Sequence, residues 1–438
     1  MAFRYFREVL PSGLRAAIIE TPHLHTAMLA VYVRAGSRHE TPEDNGVSHF
    51  LEHMFFRGSE GYPDTVQMNA LVEDVGGNLN GVTTRDHGYY YTPVHPQHVG
   101  VALDVIGDMI ARPLLREMEV ERQVILEEML DEVDEEGNDI DLDNLSKMEV
   151  FRGHPMGLKI AGTQHSVKRL QKVQLERHLA RHYVAGNMVV AVAGPVRHDE
   201  VRERIASAFA GVRGGESIRE EAPPPPPIGP WLRFVEHDEA QTEFRLLFPT
   251  VPETDPNYPA LQVLRRILDD GLSSRLPFNV VERRGLAYSL HAGLETFPDC
   301  GFFEVDAACA PEKAGLVVEA VCETLGEVCN GELTEEEVAR AQRRHRMFLE
   351  FAHDAPGELV GWFGGTELYR RPEPFEERCR LIESQSVPDV VRVARTFLHR
   401  EALGVVAVGQ RKGLRALQRA VDAAHGLPNR SDSHPATA

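Results

Sequence analysis

The chain has 438 residues, 42% apolar and 26% charged, an ordinary globular composition that exceeds the comfortable size of one core, so two domains are expected. A formal net charge of −20 argues against a nucleic-acid binder, which needs clustered Lys and Arg. No window approaches the ~18 to 20 unbroken apolar residues of a membrane span.

The first residues, "MAFRYFREVLPSGLRAAIIE", break every apolar run with Arg or Glu and offer no secretory signal, so the cytoplasm is the expected compartment; removal of a signal would make it the periplasm or an organelle. Cys300, Cys309, Cys322, Cys329 and Cys379 are odd in number and lack CxxC spacing, which fits small buried hydrophobes better than disulfides or thiolate metal sites.

In chain order, "AMLAVYVRAG" reads as a strand leading into a helix at about 46–56, then a second helix around "TVQMNALVEDVG". The segment "GNLNGVTTRDHGYYYTPV" reads as one strand, followed by helices at "HVGVALDVIGDMIA" and "MEVERQVILEEMLDEV". The run "EEAPPPPPIGP" (220–230) reads as a semi-rigid polyproline linker that divides the chain almost evenly. Beyond it the plan repeats: strand "TEFRLLFPT", helix "YPALQVLRRILDD", strands "LAYSLHAGLE" and "CGFFEVDAAC", then helices at "EKAGLVVEAVCETLGEVC" and "TEEEVARAQRRHRMFLE". Alternating strands with long amphipathic helices predict an α+β fold of two similar domains, each a mostly antiparallel sheet covered by helices. The boundaries are 1–220, a linker at 221–230, 231–424, and a disordered polar tail at 425–438.

The first half carries the chemistry. In "SHFLEHMFF", His49 and His53 lie about 40° apart on one helix face, one turn apart, and can grip one ion. Glu52 falls about 60° to the other side of His49, where a base for an activated water stands. A tetrahedral catalytic zinc wants a third protein ligand. The acidic helix "EMEVERQVILEEMLDEVDEE" offers Glu121 and Glu128 within about 20° of each other; Glu127 turns elsewhere, and Glu117 and Glu132 share the acidic face and stay open. The plain alternative is a solvated acidic surface.

These segments, with "GGNLNGVTTRDHGYYY", "HPMGLKIAGT" and "HYVAGNMVVAVAG", resemble the pitrilysin and insulin-degrading-enzyme family of zinc peptidases, nearest its mitochondrial-processing-peptidase-like branch, over most of residues 5–410. That family carries the inverted motif H-x-x-E-H. The resemblance implies one Zn²⁺ per chain held by His49, His53 and Glu128, Glu52 as water-activating base, and Glu121 as a supporting carboxylate important for activity. It also implies capture of extended substrate on a strand edge around Asn80 and Gly81, with Tyr288 contacting substrate. Relatives place an arginine seven residues before that tyrosine; here the position is Val281, with Arg283 and Arg284 nearby.

The second half carries no copy of the metal motif: "LQVLRRILDD" lacks histidine, and Arg343 or Arg344 falls near the position of Glu128. His178 and His182 in "ERHLARHYV" read as packing residues, His95 and His98 as surface, and "DEVDEEGNDIDLD" (131–143) as a solvated charge run or an attractor of basic peptides. The resemblance implies a zinc metalloendopeptidase for unfolded or short peptides. It further implies that the chain forms one bowl-shaped half of a dimeric chamber, as a heterodimer with a similar subunit that supplies the arginine, or as a homodimer. The competing class is a noncatalytic assembly subunit or peptide-binding module of the same fold.

Overall fold

In the computed structural model, which describes residues 3–430, two mixed β-sheets are built on one repeated strand plan. The first half runs β1 (Arg4–Val9), β2 (Arg15–Glu20), β3 (Ala27–Val33), α1 (Val47–Phe55), α2 (Thr65–Glu73), β4 (Asn80–Thr83), β5 (Gly88–Val94), α3 (Val99–Ala111), α4 (Met118–Glu128), α5 (Leu142–Val150), two further helices and β6 (Met188–Gly194). The second runs β7 (Trp231–Glu236), β8 (Thr242–Thr250), the helix Tyr258–Leu268, β9 (Ser289–Thr296), β10 (Gly301–Cys309), the helices Ala314–Cys329 and Glu335–Phe351, and β11 (Gly404–Gly409).

The sheet orders are β1-β2-β6-β3-β5-β4 and β7-β11-β8-β10-β9. Removing β1 leaves the same five-strand permutation in both. In each, the first strand pairs parallel with the last strand of the half, and the other pairings are antiparallel. The predicted two similar α+β halves are therefore present.

One segment differs from the sequence reading. The expected single strand across "GNLNGVTTRDHGYYYTPV" is a hairpin, β4 and β5, turned at Thr84 to His87, where the Thr84 amide bonds the His87 carbonyl at 2.8 Å. The polar Arg-Asp-His run makes the turn, and the alternation resumes in β5, whose Gly88, Tyr90, Thr92 and Val94 are buried.

Each compact unit also takes in a piece of the other half's sequence. Of the described residues, the first comprises those up to 131, 153–221 and 349–372, the second 132–152, 222–348 and those from 373 on. The reason is burial on both faces of the central strands: every residue of β6 and of β11 is buried. In the first unit the second face of β6 is covered by residues 356–365, where Gly364 lies so close to Ala191 that a Cβ would collide with it. In the second, α5 packs on β8 and β11, and its fully buried Lys147 bonds Glu304 at 2.8 Å.

None of the five cysteines forms a disulfide, and Cys309, Cys322, Cys329 and Cys379 are buried. Residues 425–430 of the expected disordered tail are tied down: Leu427 is buried, and the Pro428 carbonyl accepts from the Arg400 amide at 2.9 Å. Residues 431–438 of that tail lie outside the described residues. Among the described residues no helix is long and apolar enough to cross a membrane.

Candidate metal centre

Helix α1 starts abruptly at Gly46, whose φ of 92° suits only a residue without a Cβ. Its first amides are capped from a distance. The buried Glu40 carboxylate accepts from Gly46 N at 2.7 Å, Ser48 N at 2.8 Å and the Asn45 amide at 2.8 Å. Burial pushes the Glu40 carboxyl up, and those donors pull it back. With its start fixed, α1 sinks Val47, Phe50, Leu51, Met54 and Phe55 into the core and turns His49, Glu52 and His53 to its margin.

The two imidazoles stand edge to face, with centroids 4.7 Å apart. Helix α4 brings Glu128 to them: its carboxylate oxygens lie 3.7 Å from His49 Nε2 and 3.4 Å from His53 Nε2. One ligand atom from each of the three fits within a mutual separation of 4.8 Å. Ligand atoms on a tetrahedral zinc, at about 2.0–2.1 Å from the ion, stand about 3.3 Å apart, so this N, N, O set fits zinc with little adjustment. Among the described residues no other group does so.

The surrounding groups tune the set. Burial, and then the neighbouring His53, lower the His49 pKa to about 4, which keeps it a neutral imidazole. For His53, burial is outweighed by hydrogen bonds to Glu128 and Glu121, and its pKa rises. The hydrogen bond from His53 in turn holds Glu128 ionised. Glu121 Oε2 sits 3.0 Å from His53 Nδ1, which leaves Nε2 facing Glu128, and its other oxygen pairs with Arg57. His49 Nδ1 is buried without a protein partner.

Glu52 does not join the ligand set. It lies against β4, the edge strand of its sheet, where Thr83 Oγ1 donates to Glu52 Oε2. A Cβ on Gly81 would come within 2.9 Å of Glu52 Cγ and Oε1, so glycine is what lets the carboxylate lie there. Burial pushes the Glu52 pKa up, against the Thr83 hydrogen bond and the His53 charge. Asn80 stands next in β4, opposite Tyr91, its amide bonding the Asn78 carbonyl at 2.7 Å.

Among the acidic alternatives, Glu117 faces Arg57 at 3.5 Å, Glu127 is exposed, and Glu132 belongs to the other compact unit. His178 and His182 are buried, stacked at 4.3 Å, with His178 Nε2 3.1 Å from Ser48 Oγ; they pack behind α1. His95 and His98 are exposed.

In the second unit the helices Tyr258–Leu268 and Glu335–Phe351 take the repeat positions of α1 and α4. There Arg266 and Arg344 share Asp270 at 3.1 and 2.5 Å, and Arg343 pairs with Glu336 at 2.7 Å. These helices carry paired cations, and among the described residues no group on them could hold a metal. Tyr288 is 82% exposed, Val281 packs against the core, and Arg284 pairs with Glu323 at 2.9 Å.

Comparison with known families divides the chain along this asymmetry. Residues 15–164 match the model for Insulinase (Peptidase family M16), and residues 169–344 that for the Peptidase M16 inactive domain. The chain belongs to peptidase family M16. An uncharacterized zinc protease of Mycobacterium tuberculosis is 33% identical to this M16 chain, over 96% of each. A probable mitochondrial-processing peptidase subunit beta of Arabidopsis thaliana is 30% identical, over 91% of this chain and 77% of that one. A protease from Helicobacter pylori shares the fold with a TM-score of 0.84 at 20% identity, covering 93% of this chain and 100% of that one.

Three residues that hold the candidate site together escape sequence reasoning: Glu40, Arg57 and Thr83. Arg57 follows His53 by one helical turn and could have been suspected as a partner of the acidic helix. Thr83 carries no local signal, because its partner Glu52 lies 31 residues away. Glu40, though its partners Asn45, Gly46 and Ser48 are near in sequence, matches no helix-capping pattern, since it stands six residues before Gly46, the N-cap of α1.

Proposed function

We propose that this M16 chain is a zinc endopeptidase that cuts extended peptides. The observation that carries the reading is the convergence of His49, His53 and Glu128 at tetrahedral-zinc spacing, with Glu52 beside them but outside the ligand set. A zinc ion held there, one per chain, supplies Lewis acidity and lowers the pKa of water. Glu52, raised by burial, accepts the proton of the attacking water and returns it to the leaving nitrogen. Glu121 holds the His53 tautomer. The open edge of β4 at Asn80 and Gly81 pairs with the backbone of an extended substrate, which favours unfolded or short peptides. Tyr288, exposed in the second unit, is a substrate contact.

Because Val281, half-buried against the core, stands where relatives have an arginine, the substrate-binding pair is incomplete in this chain. That supports a heterodimer with a similar subunit supplying the missing cation, in line with the relative named as a beta subunit; a homodimer is the alternative. Zinc content and hydrolysis of an unstructured peptide, with and without the candidate partner, test the proposal. One zinc per chain is expected, with hydrolysis that grows on mixing. Metal-free protein that stays inactive after zinc is restored would make it a noncatalytic subunit of the same fold.

A further inference from the structure

The first sheet has one strand more than the second, and the extra strand marks an open edge. β1 lies antiparallel on the outer side of β2, from Arg4 opposite Glu20 to Val9 opposite Arg15. β7 is the repeat counterpart of β2, and among the described residues no strand pairs with its outer side. On the inner side, the Trp231 amide reaches the Leu403 carbonyl at 3.2 Å, and the His237 amide just beyond β7 reaches Gly409 at 3.0 Å. Backbone groups alternate sides along a strand, so those of Leu232, Phe234 and Glu236 point away from β11.

A cleft of about 1130 Å³ runs beside this edge, walled by residues 134–139 and 233–239, with Leu145, Met148 and Phe234 in its lining. Four carboxylates stand in the first wall and three in the second, against Arg233 and His237. Arg233 is turned toward Glu149 at 3.7 Å. Met148 is 41% exposed, an apolar contact left open in an acidic surround.

We propose that β7 is a strand-addition site for an extended, Lys- or Arg-rich peptide segment, which takes in the second sheet the place that β1 takes in the first. Backbone pairing along Leu232, Phe234 and Glu236 supplies affinity. Alternate side chains reach the Leu145, Met148 and Phe234 lining and the acidic walls. A six-residue strand spans about 20 Å, so the cleft suits a stretch of substrate rather than a side chain. The claim that the captured peptide is a substrate rests on the endopeptidase reading; the binding does not.

Fluorescence anisotropy on the Glu52→Gln protein, which separates capture from cleavage, tests it with a labelled peptide of about eight residues alternating Lys and Leu. Affinity is expected to fall about tenfold when Gln replaces Lys in the peptide, and about tenfold when Glu135→Gln, Glu136→Gln and Glu239→Gln are combined, with marked salt dependence. N-methylation of alternate peptide amides is expected to remove binding, and a photo-crosslinking version to label residues 134–139 and 232–239. Glu239→Lys gives an independent single-site check. Unchanged affinity in the carboxylate variants, or cross-links confined to β4, would overturn the proposal and leave the acids as a charged guard on a free edge. Zinc content is unaffected by either result, so this failure is distinguishable from failure of the peptidase reading.

Discussion

Glu121 and His53, 68 residues apart in sequence, are joined by a hydrogen bond of 3.0 Å between Glu121 Oε2 and His53 Nδ1. That bond fixes which imidazole nitrogen faces Glu128, and Arg57 on the other carboxylate oxygen fixes Glu121 itself. Carboxylate partners of ligating histidines are commonly worth 10–100-fold in metal affinity. Glu121→Gln is therefore expected to weaken zinc binding by about tenfold or more, measured by competition with a chromophoric chelator. An unchanged affinity would separate Glu121 from the metal site.

Glu52→Gln makes the complementary prediction. It leaves His49, His53 and Glu128 in place, so zinc content is expected to be retained, while peptide hydrolysis is expected to fall by roughly 10²-fold or more with the loss of the proposed proton carrier. Appreciable hydrolysis by this variant would remove Glu52 from the mechanism.

Gly81→Ala probes the same base through packing. The new Cβ meets Glu52 Cγ and Oε1 at 2.9 Å and a Phe56 ring carbon at 3.0 Å. Either Glu52 or β4 must move, and a misplacement of this size is expected to cost about 10²-fold in hydrolysis. Zinc affinity should change little, since His49, His53 and Glu128 are not touched. Parallel loss of metal and activity would show a collapse of α1 instead.

Val281→Arg asks whether the missing cation can be restored in this chain. Val281 is packed against the second unit's core, so an arginine there brings a charge into apolar contacts. The expected outcome is destabilisation of about 2 kcal/mol or more, seen in denaturant melts, without a gain in hydrolysis. A stable, more active variant would point to a single-chain substrate site.

His345 accepts from Arg266 Nε at 3.2 Å, and burial followed by the Arg266 charge lowers its pKa to about 3. In the unfolded chain it titrates near 6.5. The unfolded state thus binds a proton first as pH falls, so the stability His345 contributes is complete above about 6.5 and is lost on the way down to about 3. The slope for one such group is about 1.4 kcal/mol per pH unit. His345→Gln keeps an acceptor for Arg266 and removes the titration, so its denaturant melts between pH 6.5 and 4.5 should lose stability less steeply than those of the parent. Parallel slopes would show that His345 titrates normally.

The sequence by itself determined the directions of side chains on their own elements. The 3.6-residue period put His49 and His53 on one face of α1 with Glu52 beside them, and put Glu121 and Glu128 on one face of α4. Two-residue alternation marked β5, and the repeated order of elements announced two related halves. Period could not say which carboxylate of α4 meets the histidines. Glu117, Glu121, Glu128 and Glu132 share a face in sequence, and family resemblance rather than geometry picked Glu128 before the packing of α4 on α1 brought it within reach. Nor could it announce that α5 crosses to cover the second sheet, or that residues 356–365 return to cover the first, because β6 and β11 bury both faces and accept any apolar segment that fits. Lys147 shows the reason most plainly. A lysine in an amphipathic helix reads as solvent-exposed, and only tertiary packing supplies the Glu304 and Glu295 carboxylates that let its charge be buried.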